Sequence, residues 1–256
     1  MDPSIFHQYR EDCPGSITLI FECRDRDGTR VDIRLGCHQR AQSDYTGGGK
    51  LKPAIHVTWT GTGKMTGVTS INDDPYSNEY CMNVCPNRTV CYAKRYSLIF
   101  KNVRSCFKRN GDLMSKAILP VQMLPCFTPG DTIRIHSYGE YRNATHLTNH
   151  RNMAKKNDAT RFVGWSHRDD LISKARIPDN MQFIFSMGVD EIDALIPDGF
   201  DGVYIPVTEE VAEREGIDIL CKGQHCLECN RCYSGKPLGV IYAKFKPINV
   251  PARLPV

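Results

Sequence analysis

The chain has no apolar run approaching the roughly 18 residues of a membrane-spanning helix, so no membrane association is expected. Its opening, MDPSIFHQYREDCPGS, lacks both the basic start and the apolar stretch of a secretory signal, which points to a reducing, cytoplasmic setting. No repeat of fixed period and no low-complexity tract is present, which sets aside solenoid architectures. Two familiar chemistries lack a part. In GTGKMTG the first glycine is too close to Lys64 and no Ser or Thr follows it, so the segment is no Walker loop. His146 and His150 have the i, i+4 spacing of a zinc pair, but Leu-Thr-Asn between them lacks the glutamate of HExxH, and an exposed helix face is expected.

The 256 residues can bury one substantial core or two small ones, and 41% hydrophobic with 24% charged residues is ordinary for a globular chain. A net charge of +4 is too small to mark a nucleic-acid binder, so the distribution matters more. From Tyr92 to Arg109 there are six Lys or Arg and no acid, whereas VTEEVAEREGID is acidic. The basic helix face formed by Lys94, Lys101, Arg104 and Lys108 is a candidate for phosphate contact, with solvated surface as the plainer expectation.

What the chain does have is clustered cysteine. Twelve in this length is about 5%, below the roughly 8–10% of a disulfide scaffold. Seven of the twelve fall into two groups: Cys81, Cys85 and Cys91 as C-x3-C-x5-C, and Cys221, Cys226, Cys229 and Cys232 as C-x4-C-x2-C-x2-C. In a reducing compartment such grouping favours metal over disulfides, and soft thiolates select zinc, copper(I) or iron–sulfur clusters. Overlapping C-x2-C steps fit one chain segment wrapped around an iron–sulfur cluster better than the two separated knuckles of a zinc ribbon. Three thiolates on a four-iron cluster leave one iron open to substrate or cofactor; four close a site. Zinc is the alternative for both groups, with the triplet then completed by a histidine such as His136 or His225.

Periodicity gives the frame. SITLIFEC and RVDIRLG, joined by an Asp-Gly turn, read as a β-hairpin. Tyr92, Tyr96, Ile99, Val103 and Cys106 mark an amphipathic helix that begins directly after Cys91. From residue 131 the strands TIRIHS, RFVGWS, MQFIFSM and GVYIPV alternate with helical pieces, ATHLTNHRNMAKKN, HRDDLISKA, VDEIDAL and TEEVAEREG. Such alternation implies a parallel sheet and a full or partial, TIM-like β/α barrel. The expected organisation is an N-terminal hairpin extension over 1–55, a barrel-like domain over 56–220 and a cysteine-rich C-terminal segment with a final strand over 221–256. Active groups of a barrel sit at the C-terminal ends of its strands, which here include His136-Ser-Tyr-Gly-Glu140 and Trp165-Ser-His167.

The ordered set Cys81…Cys85-Pro…Cys91-Tyr-Ala-Lys, then the strand ending Arg134-Ile-His-Ser-Tyr-Gly-Glu140, then Cys221…Cys232-Tyr, resembles a family of phage and plasmid proteins. That family looks like a divergent relative of the radical S-adenosylmethionine (SAM) barrel enzymes, whose C-x3-C-x2-C spacing is lengthened here by three residues. The resemblance implies a 4Fe–4S cluster on Cys81, Cys85 and Cys91 whose open iron chelates SAM, with Gly139 and Glu140 at the position that receives the SAM amino group. It implies a radical enzyme, in a host cytoplasm if phage-encoded, with an electron donor and an unknown substrate for which a nucleotide or nucleic acid fits the basic surface. His136 and Tyr138, beside Glu140, are candidates for proton transfer or substrate contact. The competing expectation is a non-catalytic nucleic-acid-binding module whose zinc or iron–sulfur sites only staple the fold.

Overall fold

A computed structural model describes residues 17–24, 30–37, 57–59, 68–99, 101–127, 129–222, 226–235 and 237–245. The loop around Lys64, the hairpin turn and His225 lie outside them, as does the side chain of Lys101. Strands β1 (Ile17–Arg24) and β2 (Arg30–Cys37) pair antiparallel from Ile17 opposite Cys37 to Arg24 opposite Arg30, the hairpin expected from alternation.

A seven-stranded sheet follows. Strand β3 (Val57–Trp59) lies antiparallel to β4 (Thr69–Ile71). From β4 the order is strictly sequential and parallel through β5 (Thr132–Ile135), β6 (Arg161–Ser166), β7 (Met181–Ser186), β8 (Gly202–Val207) and β9 (Gly239–Lys244). This is an α/β protein with six parallel strands. Between β4 and β5 run α1 (Glu79–Asn83), α2 (Tyr92–Ile99) and α3 (Lys101–Lys116). Later crossovers carry α4 (Ala144–Lys156), α5 (Asp169–Ile172), α6 (Glu209–Arg214) and the single turn α7 (Cys226–Cys229).

Each parallel strand joins on the same side of its predecessor, and right-handed crossovers then place the helices on one face. Side-chain alternation agrees. Ile133, Ile135, Phe162 and Phe183 pack with Met114 of α3 and Leu147 and Met153 of α4, while Val203, Ile205 and Val207 pack with Ala212 of α6. Fully burying each such side chain contributes about 1.5–3 kcal/mol. The intervening residues Val163, Trp165, Ile184 and Tyr204 point the other way, where Tyr233, Cys226 and Cys232 cover them. The C-terminal segment is thus woven into the sheet through β9 and folded over the face opposite the helices.

The segment VDEIDAL, expected to be half-helical, is not. Asp190 sits at φ 62 and accepts hydrogen bonds from the Thr208 amide at 2.7 Å and the Thr208 hydroxyl at 3.0 Å, tying the β7–β8 connection to the start of α6. Asp190 and Glu191 are therefore loop braces, Glu191 accepting from the Gly188 amide. Among the described residues no helix is long and apolar enough to cross a membrane.

Candidate functional site

The loop that carries the first three cysteines is placed by one buried asparagine. Asn78 caps α1, its Oδ1 accepting from the Cys81 amide at 3.2 Å. Its Nδ2 donates to Asp73 Oδ2 at 2.8 Å and to the Glu140 carbonyl at 2.7 Å. Cys81 and Cys85 are buried, Cys91 is half-buried at the start of α2, and none is in a disulfide. Burial pushes the Cys85 thiol up to about 12, and Cys81 well above its ordinary value, with the other thiols of the group adding to the effect on both. Amides pull the other way: Asn87 on Cys85, and Lys94 and Ala93, at the open end of α2, on Cys91.

Side chains pin this loop across three strand ends. The Tyr92 hydroxyl donates to the Ser137 carbonyl at 2.5 Å after β5, and the Tyr80 hydroxyl to the His167 carbonyl at 3.0 Å after β6. Asn87 Nδ2 donates to the Met187 carbonyl at 2.9 Å after β7, and the Val189 amide returns to Asn87 Oδ1 at 3.2 Å. The thiols therefore sit over the C-terminal ends of β5, β6 and β7.

Glu140 belongs to the same assembly. Buried at 2% exposure, it accepts from the Tyr141 amide and Ser166 hydroxyl on Oε1 and from the His167 amide on Oε2, all within 2.8 Å. Burial raises its carboxyl to about 7 against the pull of those donors. Asp73, held by both Arg142 Nε at 2.8 Å and Nη2 at 2.6 Å, is raised by burial to about 6. Gly139 has φ +84, and a Cβ there would lie 2.5 Å from the Asp73 carbonyl oxygen. Tyr138 fills the gap between α2 and α3, its ring 5.8 Å from that of Tyr92 and 5.4 Å from that of Phe107.

The last four cysteines gather elsewhere. Cys221, Cys226, Cys229 and Cys232 all line one shallow pocket, with Arg231, Tyr233 and Ile241. Cys221 bridges to Ala243 beside β9, and Asn230 turns the chain at φ 48 between Cys229 and Cys232. None of the four is in a disulfide. Beneath them Arg134 lies 4.2 Å over the Trp165 ring.

His136 does not continue the strand: β5 ends at Ile135, and His136 adopts φ 55, which turns its ring to the helix side against Tyr141, His146 and His150. Two expectations need correction. His146 and His150, expected on an exposed face, are buried. The basic face also breaks up. Lys94 is 3% exposed and donates to the Arg88 carbonyl, Arg104 reaches Asp74 at 3.3 Å, and Lys108 is the exposed member among the described side chains, paired with Asp112. Helical periodicity places residues on a face; it does not say whether that face meets solvent or a neighbouring segment.

No family model, curated protein or solved structure matches the chain. Fold and site define a class: an α/β protein with two gatherings of cysteines outside any disulfide, one over the strand ends and one over the sheet face opposite the helices. The supporting residues Asn78, Asp73, Arg142, Tyr80 and His167 carry no local motif and emerge only from tertiary contacts.

Proposed function

We propose that the chain is an iron–sulfur enzyme of radical-SAM type built on a partial β/α barrel. One observation carries the reading: three free thiols on a loop pinned across the C-terminal ends of three successive parallel strands, the position at which barrels do chemistry. Cys81, Cys85 and Cys91 hold an open 4Fe–4S cluster. Cys221, Cys226, Cys229 and Cys232 hold a closed auxiliary cluster. The sequential strand order, with helices on one face and the cysteine-rich segment on the other, supports the barrel assignment. The donor set suits the group: among the described residues neither set of cysteines brings three sulfurs within 4.8 Å of one another, as a single ion would need, and cysteines that hold a cubane stand around it.

When bound and reduced, such a cluster supplies the electron that cleaves the SAM sulfonium. The chain's own residues do the positioning. Of the roughly four lone-pair sites on the Glu140 carboxylate, three are filled by Tyr141, Ser166 and His167, which leaves one on Oε2 for an ammonium donor. Gly139 lets that turn close onto Asp73. Cysteines of this number outside any disulfide need a reducing compartment, so a cytoplasmic setting and an electron donor belong to the same proposal. A nucleotide or nucleic acid as substrate now rests on the resemblance more than on charge, since Lys94 and Arg104 turn inward. The same inward turn weakens the non-catalytic nucleic-acid-binding alternative.

The test is anaerobic reconstitution with iron and sulfide, followed by reduction and addition of SAM. Formation of 5′-deoxyadenosine is the expected result, and cluster-loaded protein that makes none ends the radical proposal.

A further inference from the structure

We propose that His136, His146 and His150 form a site for a single divalent transition-metal ion, with zinc the ion to test first. Each of the three offers one ring nitrogen, and these atoms all lie within 4.8 Å of one another. The rings stand 5.0–5.3 Å apart between centroids. They are sealed in, at 5%, 2% and 0% exposure. His146 and His150 come from one face of α4, whose start is fixed by Asn143 accepting from the His146 amide at 3.0 Å. His136 comes from the end of β5, turned toward α4 by its left-handed backbone.

These rings do not satisfy themselves. Neither nitrogen of His136 nor of His150 has a hydrogen-bond partner, and the same holds for the hydroxyl of Tyr141, whose ring packs edge-on against all three histidines at 4.6–5.4 Å. His146 Nδ1 accepts from the Arg142 amide at 3.3 Å, the long end of the range, and ligation at that nitrogen would displace the bond. A buried polar group left unpaired costs about 1–3 kcal/mol. Five unpaired buried atoms in one place are unusual among native interiors, where such groups are nearly all satisfied. A core built only for packing would use Leu or Phe at these positions.

A metal ion resolves the arrangement. Neutral imidazole is a ligand for zinc, copper, iron and nickel, and three histidines are a known zinc donor set. Burial holds all three rings in the neutral form that ligation needs. The nearby cation Arg142 is compensated by Asp73 and Asp112, each at 2.6 Å. Enclosure makes the ion a staple taken up during folding. It would lock the turn running from His136 to Glu140 onto α4, and so hold the strand-end carboxylate from behind.

The test uses the full chain, stripped with chelator and then loaded with zinc alone. Zinc bound per chain is counted, and X-ray absorption at the zinc edge reads its ligands. One zinc in a shell containing imidazole nitrogen, distinct from any in a sulfur shell, is expected. In His150→Gln and His146→Gln that zinc should be lost, with affinity falling by more than the roughly 10–100-fold that follows loss of an outer partner. Cys229→Ser should keep it. If the variants fail to fold, the wild-type absorption spectrum decides. A shell of sulfur alone, no retained zinc, or unchanged binding in both variants overturns the proposal. Nitrogen against sulfur ligation keeps this result separate from the iron–sulfur reading.

Discussion

Asn78 and Glu140 are joined by a 2.7 Å hydrogen bond from the asparagine side chain to the glutamate carbonyl, 62 residues away in sequence. Through it the start of the cysteine-bearing helix and the turn after β5 become one unit, since the same asparagine also receives the Cys81 amide and holds Asp73.

Asn78→Ala should therefore destabilise the protein by more than a lost cap alone. A cap is worth about 0.5–2 kcal/mol, and each buried acceptor left unpaired adds about 1–3 kcal/mol. Urea unfolding should show a loss of at least about 2 kcal/mol, together with lower iron incorporation. A loss within a few tenths would mean that Asn78 does not organise the site.

Gly139→Ala meets two obstacles, a backbone at φ +84 and a contact of 2.5 Å with the Asp73 carbonyl oxygen. A strained backbone of this kind costs on the order of 1–3 kcal/mol before the clash is counted. A clearly lowered Tm is expected, whereas Gly130→Ala, at φ +86 with open space around it, should cost only the strain. Equal effects at the two positions would remove Gly139 from the account.

Stability should depend on pH through Glu140. Its folded-state pKa, raised to about 7, lies above the unfolded value, so its contribution is complete at low pH and is lost as pH rises through about 7. Measured by urea unfolding of metal-free protein, the advantage of wild type over Glu140→Gln should shrink between pH 4.5 and about 7. The buried His150, lowered to about 3, works in the opposite sense and is felt only as pH falls below 6.5. A difference that grows with pH would contradict the burial of a protonatable Glu140.

The two thiol groups should be separable. Cys85→Ser should remove the open cluster and leave the other, and Cys229→Ser should do the reverse, as read by iron and sulfide analysis and by electron paramagnetic resonance of the reduced protein. Loss of both clusters from either change would mean one shared centre.

Much of the frame was legible because local signals agreed. The strands Arg161–Ser166 and Gly202–Val207 match their apolar runs residue for residue. The two cysteine groups could be read from spacing alone. What escaped was set by tertiary contact. A left-handed, non-glycine His136 has no sequence signature, so its reversal toward α4 was hidden. The i, i+4 histidines look polar and hence exposed until a third ring arrives from β5. Lys94 looked solvated because periodicity could not reveal the Arg88 carbonyl and the Tyr76 ring waiting for it.

On the radical-SAM proposal the triplet would hold an open, SAM-reactive cluster. Its most direct measurement is 5′-deoxyadenosine produced by anaerobically reconstituted, reduced protein given SAM. Product from wild type and none from Cys85→Ser is the predicted result; a fully loaded wild-type protein that forms no product, or a colourless one that holds only zinc, would contradict it.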